Sequence, residues 1–94
     1  MIKVSIKKNE IKIDGHALYD EYGKDIVCAS VSSIVITTIN ACLKFDKNSI
    51  SYNDGNPLVI KILSDDIIIS NLIDNMIDML KELSCDYPKN IKFL

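Results

Sequence analysis

Between Asp25 and Leu43 the chain runs without a glycine or a proline, and what this run becomes decides the fold. Its Ile26, Val27, Val31, Ile34, Val35, Ile36 and Ile39 are β-branched, so propensity alone favours a strand. Two features oppose that reading. The run is far longer than an ordinary strand, and it opens on Asp25, a good helix cap, after which Val27, Val31, Ile34, Val35, Thr38 and Cys42 recur at helical spacing. The spacing predicts a buried helix over 25–43. Ala29, Ser30, Ser32 and Ser33 keep its first turns thin, which lets that end pack closely on a sheet.

The remaining elements read more simply. Ile2, Val4 and Ile6 alternate with Lys3, Ser5 and Lys7, and Ile11 and Ile13 repeat the alternation after a turn at Asn9-Glu10, which predicts an antiparallel hairpin. Residues 15–24 carry Gly15, Gly23 and two tyrosines without a period and read as a loop. Ser49–Tyr52 and Leu58–Leu63 form a second hairpin across the breaker-rich Asn53-Asp54-Gly55-Asn56-Pro57. Ser64-Asp65-Asp66 then caps a helix that carries Ile69, Leu72, Ile73, Met76, Ile77, Leu80 and Leu83 on one face. Pro88 forbids its continuation, and Ile91–Leu94 reads as a last strand. The order ββαββαβ implies an α+β two-layer sandwich, a mostly antiparallel sheet with two helices on one face, formed by a single domain over residues 1–94. A chain of 94 residues has no room for a second core.

Composition narrows the function classes. A net charge of −2, with all eleven basic residues lysine, argues against a nucleic-acid binder and removes the guanidinium fork that clamps phosphate. The first residues alternate and lack the apolar run of a signal peptide, so a cytoplasmic protein without membrane contact is expected. Three cysteines with no CxxC pair suggest free thiols, with no disulfide framework, metal site or cofactor.

The chemistry concentrates in Gly15–Ser32, which holds the only histidine, His16, and Cys28. His16 follows a strand and Cys28 lies in the first turn of a helix, so folding can bring both to one sheet edge. A thiolate is the nucleophile of cysteine chemistry, and an imidazole or a helix N-terminus favours it. The amides near Val27–Ala29 are candidate donors for an oxyanion hole, and His16 can protonate a leaving amine. Each residue also has a plainer reading: His16 as a surface residue beside a glycine, Cys28 as a small buried hydrophobe, Asp25 as a helix cap. Gly15 and Gly23 flank a segment with Tyr19 and Tyr22 that is expected to move as a lid. Cys42 lies about 21 Å along the helix from Cys28 and reads as core. Cys85 reads as structural or partly exposed. The acids Asp65, Asp66, Asp74 and Asp78 read as a solvated face. A non-enzymatic module that binds a peptide or a ribosomal partner is the competing function.

With Gly15-His16-Ala17, Tyr22-Gly23, Asp25-Ile26-Val27-Cys28-Ala29 and the downstream Ser32, this stretch resembles the ribosomal-processing cysteine protease family, Prp. Ser30 is a mild departure, where that family usually has another small residue. The resemblance covers essentially the whole chain. It implies a homodimeric cysteine endopeptidase that removes the short N-terminal extension of large-subunit ribosomal protein twenty-seven, cutting after an aromatic residue. By position it assigns Cys28 as nucleophile, His16 as general base and acid, Asp25 as an accessory acid, Ser32 as a serine near the site, and Gly15 as the hinge of a mobile loop.

Overall fold

The β-branched run does become a helix, because its apolar spacing lets one stripe be covered. A computed structural model describes residues 1–94. The elements in chain order are β1 (Ile2–Lys7), β2 (Glu10–Asp14), α1 (Ile26–Phe45), β3 (Ile50–Asn53), β4 (Leu58–Ile62), α2 (Ile67–Asp86) and β5 (Ile91–Phe93), the predicted ββαββαβ order. On α1, Val27, Val31, Val35, Thr38, Ile39 and Cys42 are buried. By length and composition α1 could cross a membrane, but here that stripe is spent on the core. It extends two residues past the expected end at Leu43, closing where the Asp46 amide donates to the Cys42 carbonyl.

The five strands form one sheet in the order β3-β4-β2-β1-β5. Neighbours are antiparallel except β1 and β5, which run parallel. Register places apolar residues opposite one another on one face: Val4 against Ile13, Ile11 against Ile60, and Ile2 against Ile91. Those six side chains are buried, whereas Lys3, Lys12, Lys61 and Lys92 on the other face are exposed. The helices therefore cover one side only, as the period-two alternation requires. The hairpin turn uses Asn9 with φ +61°, a left-handed conformation that asparagine tolerates.

α2 lies against α1 and β5 and buries Ile69, Ile73, Met76 and Leu80. Its cap is Asp66, whose carboxylate accepts from the Ile68 amide at 2.8 Å. At its far end the chain turns through Tyr87–Asn90: the amides of Asn90 and Ile91 donate to the Tyr87 carbonyl, and the Ile2 amide donates to the Asn90 carbonyl at 2.8 Å. This turn brings β5 beside β1, and with it the end of the chain beside the 15–24 loop.

Candidate active site

Cys28 is the third residue of α1 and is half-buried. Asp25 precedes the helix in extended conformation (φ −80°, ψ 99°), so its side chain folds back over the first turn. One carboxylate oxygen accepts from the Val27 and Cys28 amides at 3.0 and 2.9 Å. The other accepts from the Tyr19 amide at 3.0 Å and, at 3.4 Å, from that of Asp20. A single carboxylate thus caps α1 and ties down the middle of the loop. These backbone donors, the Cys28 amide foremost, hold its carboxyl below the usual carboxylate range. No hydrogen bond joins Asp25 to His16, and the contacts the Asp25 carboxylate makes are those of a helix cap and a loop tie.

The same contacts correct the expectation of an oxyanion hole at Val27–Ala29. The Val27 and Cys28 amides are committed to the Asp25 carboxylate, and the Ala29 amide donates to the Asp25 carbonyl at 3.1 Å. A first turn this fully capped has no free donor at those three positions.

His16 arrives from the turn after β2. Gly15 before it has φ +92°, and a Cβ there would lie 2.4 Å from the Met1 carbonyl oxygen, so only glycine fits between β2 and the start of β1. The Gly15 amide donates to Asn56 Oδ1 at 2.9 Å, which attaches this end of the loop to the β3–β4 turn. After His16 the chain dips inward at Ala17, which is buried, and then reverses through Leu18, left-handed at φ +56° and exposed. The Ala17 amide donates to Cys28 Sγ at 3.3 Å, and its carbonyl accepts from Asn90 Nδ2 at 2.9 Å. Tyr19 packs edge-on against Tyr87, with ring centroids 5.3 Å apart.

Between the loop, α1 and the β3–β4 turn lies a cavity of about 780 Å³, lined by Gly15, His16, Gly23, Asp25, Cys28 and Ser32 together with the apolar Ile13, Val35 and Leu58. Every candidate site residue named from the sequence therefore faces one space. Ser32 joins it because it lies four residues past Cys28, on the same face of α1. His16 is exposed and makes no hydrogen bond to Cys28. Three carboxylates, Asp20, Asp25 and Asp54, and no lysine line the cavity. No three His, Cys, Asp or Glu side chains are grouped to hold a metal ion. Cys42 is fully buried in the core, which pushes its thiol up, and Cys85 is exposed.

Sequence reading names Ala17 only as part of the Gly15-His16-Ala17 motif and Asn56 only as a turn residue, and it does not single out Tyr87 or Asn90. Asn56 lies 41 positions from its partner and Asn90 lies 73, and no local pattern marks either.

The family described as cysteine protease Prp matches residues 1–92. A relative from Mycoplasma genitalium, the ribosomal processing cysteine protease Prp, is 33% identical over 92 residues, covering 97% of this chain and 92% of its own. The Prp of Staphylococcus aureus, solved with a covalently linked product peptide, superposes with a TM-score of 0.86 at 23% identity, over 98% of this chain and 94% of that one. Its complex with a substrate peptide gives 0.80 at 22% identity, over 99% and 95%. A fold, a cavity and a match that spans the chain agree, and the chain belongs to the Prp family of cysteine proteases.

Proposed function

We propose that this protein is a ribosomal-processing endopeptidase in which Cys28 is the nucleophile and His16 the proton-transfer group. The observation that carries the reading is that Cys28 Sγ, at the start of α1, faces the same cavity as the chain's only imidazole. In the proposed reaction His16 takes the Cys28 thiol proton as the sulfur attacks the scissile carbonyl, and the tetrahedral adduct collapses to a thioester, breaking the C–N bond, as His16 gives that proton to the leaving amine. Water, deprotonated by His16, then releases the acid and restores the thiol. Because the first-turn amides are occupied by Asp25, charge on the carbonyl oxygen must be met by donors elsewhere in the cavity.

The apolar floor and carboxylate-bearing rim suit an extended peptide with an apolar or aromatic side chain and basic neighbours. The relatives named above are ribosomal processing proteases, and on that basis we assign the N-terminal extension of large-subunit ribosomal protein twenty-seven as substrate, cut after an aromatic residue. The same reading includes a homodimer, a cytoplasmic location, no cofactor and no direct contact with nucleic acid. In it Ser32 flanks the dyad, and Gly15 and Gly23 end the segment that moves when substrate enters.

The test incubates purified protein with a peptide spanning the extension junction, wild type beside Cys28→Ala and His16→Ala, and reads the products by mass. A single cut after the aromatic residue by wild type alone is expected. Equal cutting by Cys28→Ala refutes the reading, and binding without cutting by wild type favours a peptide-binding module.

A further inference from the structure

The His16 segment is held in place from the opposite end of the chain. Asn90 stands at the entry to β5 with its backbone fixed on both sides: its amide donates to the Tyr87 carbonyl at 2.9 Å, and its carbonyl accepts from the Ile2 amide at 2.8 Å. Its side-chain Nδ2 donates to the Ala17 carbonyl at 2.9 Å. Ala17 is 1% exposed, so water does not reach that carbonyl freely, and a donor from the protein has to take its place. On the other side of the same residue, the Ala17 amide donates to Cys28 Sγ at 3.3 Å. The two peptide planes flanking Ala17 are therefore fixed by one hydrogen bond each, one to Asn90 and one to the sulfur. His16 precedes this residue, and the left-handed Leu18 follows it.

We infer that Asn90 is a positioning residue of the active centre: it orients the His16–Leu18 backbone so that the Ala17 amide stays on the Cys28 sulfur and His16 stays at the cavity. The inference rests on the peptidase reading above. A hydrogen bond to sulfur strengthens as the sulfur gains negative charge, so an Ala17 amide held in register assists the nucleophile when it forms. Without Asn90 the Ala17 carbonyl has no partner, the strained reversal at Leu18 can relax, and the amide leaves the sulfur. Asn90 touches neither substrate nor reacting atoms. Its effect passes through Ala17.

The experiment compares wild type with Asn90→Asp, which keeps the shape but sets an acceptor against the Ala17 carbonyl, and with Asn90→Ala. Cleavage of the junction peptide is expected to lose about tenfold in kcat with KM within about twofold, the scale of one hydrogen bond misplaced in the reactive geometry. Modification of Cys28 by iodoacetamide at pH 7, read by peptide mass, is expected to slow several-fold. Hydrogen exchange at the Ala17 amide is expected to speed up in both variants while core amides such as Val4 keep their protection. Unchanged kcat and unchanged Cys28 modification in folded variants overturn the inference. So does an Ala17 amide unprotected in the wild type, a result that stands even if the variants do not fold. Cleavage by Cys28→Ala at the wild-type rate would instead remove Cys28 as the nucleophile, and Ala17 exchange would still judge the anchor.

Discussion

Gly15 and Gly23 both have left-handed backbones, at φ +92° and +88°, and differ in what surrounds them. Replacing either with alanine adds a methyl group in a conformation that costs an L-residue about 1–2 kcal/mol. At Gly23 nothing lies within 4 Å of the new Cβ, so that strain is the whole effect. At Gly15 the Cβ would lie 2.4 Å from the Met1 carbonyl oxygen, which is backbone. The Met1–Ile2 peptide must rotate to clear it, and the amide of that peptide donates to the Asn90 carbonyl at 2.8 Å. Losing that hydrogen bond adds about 0.5–1.5 kcal/mol. Gly15→Ala is therefore expected to cost about 1.5–3.5 kcal/mol in total, about 0.5–1.5 kcal/mol more than Gly23→Ala. Urea unfolding of the two variants beside wild type, followed by circular dichroism and analysed with a common slope, measures the difference. Equal losses within about 0.5 kcal/mol would show that the Met1 carbonyl yields freely, and would refute the argument that contact with β1, more than backbone angle, demands glycine before His16.

Two further outcomes follow from the titratable groups. Because backbone amides hold the folded Asp25 carboxyl below its ordinary value of 3.8, the unfolded chain takes up that proton first as pH falls; the stability Asp25 contributes is complete above about pH 4 and is lost below it as the folded carboxyl protonates. Asp25→Asn is thus expected to narrow the stability gap to wild type as urea midpoints are taken from pH 6 to pH 3, and a gap that widens on acidification would contradict the assignment. Cys42 is buried with its thiol pushed up, whereas Cys28 is half-buried and Cys85 exposed, so brief iodoacetamide treatment of native protein at neutral pH should label Cys28 and Cys85, and Cys42 only after denaturation. Early labelling of Cys42, read by peptide mass, would show that the α1 core opens.

The elements were legible in the sequence because each rests on a short-range pattern. Alternation over Ile2–Lys7 and Glu10–Asp14 marks a hairpin with one buried face, and the stripe Ile69, Ile73, Met76 and Leu80 marks a helix, since period alone decides which side chains share a face. For α1 the pattern outweighed β-branched propensity, because burial of one stripe contributes more than rotamer preference opposes. Asp25 as a cap follows from the same local logic, and Cys28 with His16 stood out by residue type and spacing.

What needed the tertiary structure is everything that joins distant segments. The strand order β3-β4-β2-β1-β5 and the parallel pairing of β5 with β1 arise from covering one sheet face with two helices, a condition on the whole chain that leaves no mark in any one segment. The second duty of Asp25, gripping the Tyr19 and Asp20 amides with the oxygen that does not cap α1, depends on how the loop closes over the helix. The seat of Ala17 between Cys28 and Asn90 depends on the Tyr87–Asn90 turn arriving beside β1. A sequence displays the residues able to donate and accept, but which buried amide meets which carbonyl is set by packing, because only the folded interior excludes the water that would otherwise serve them all.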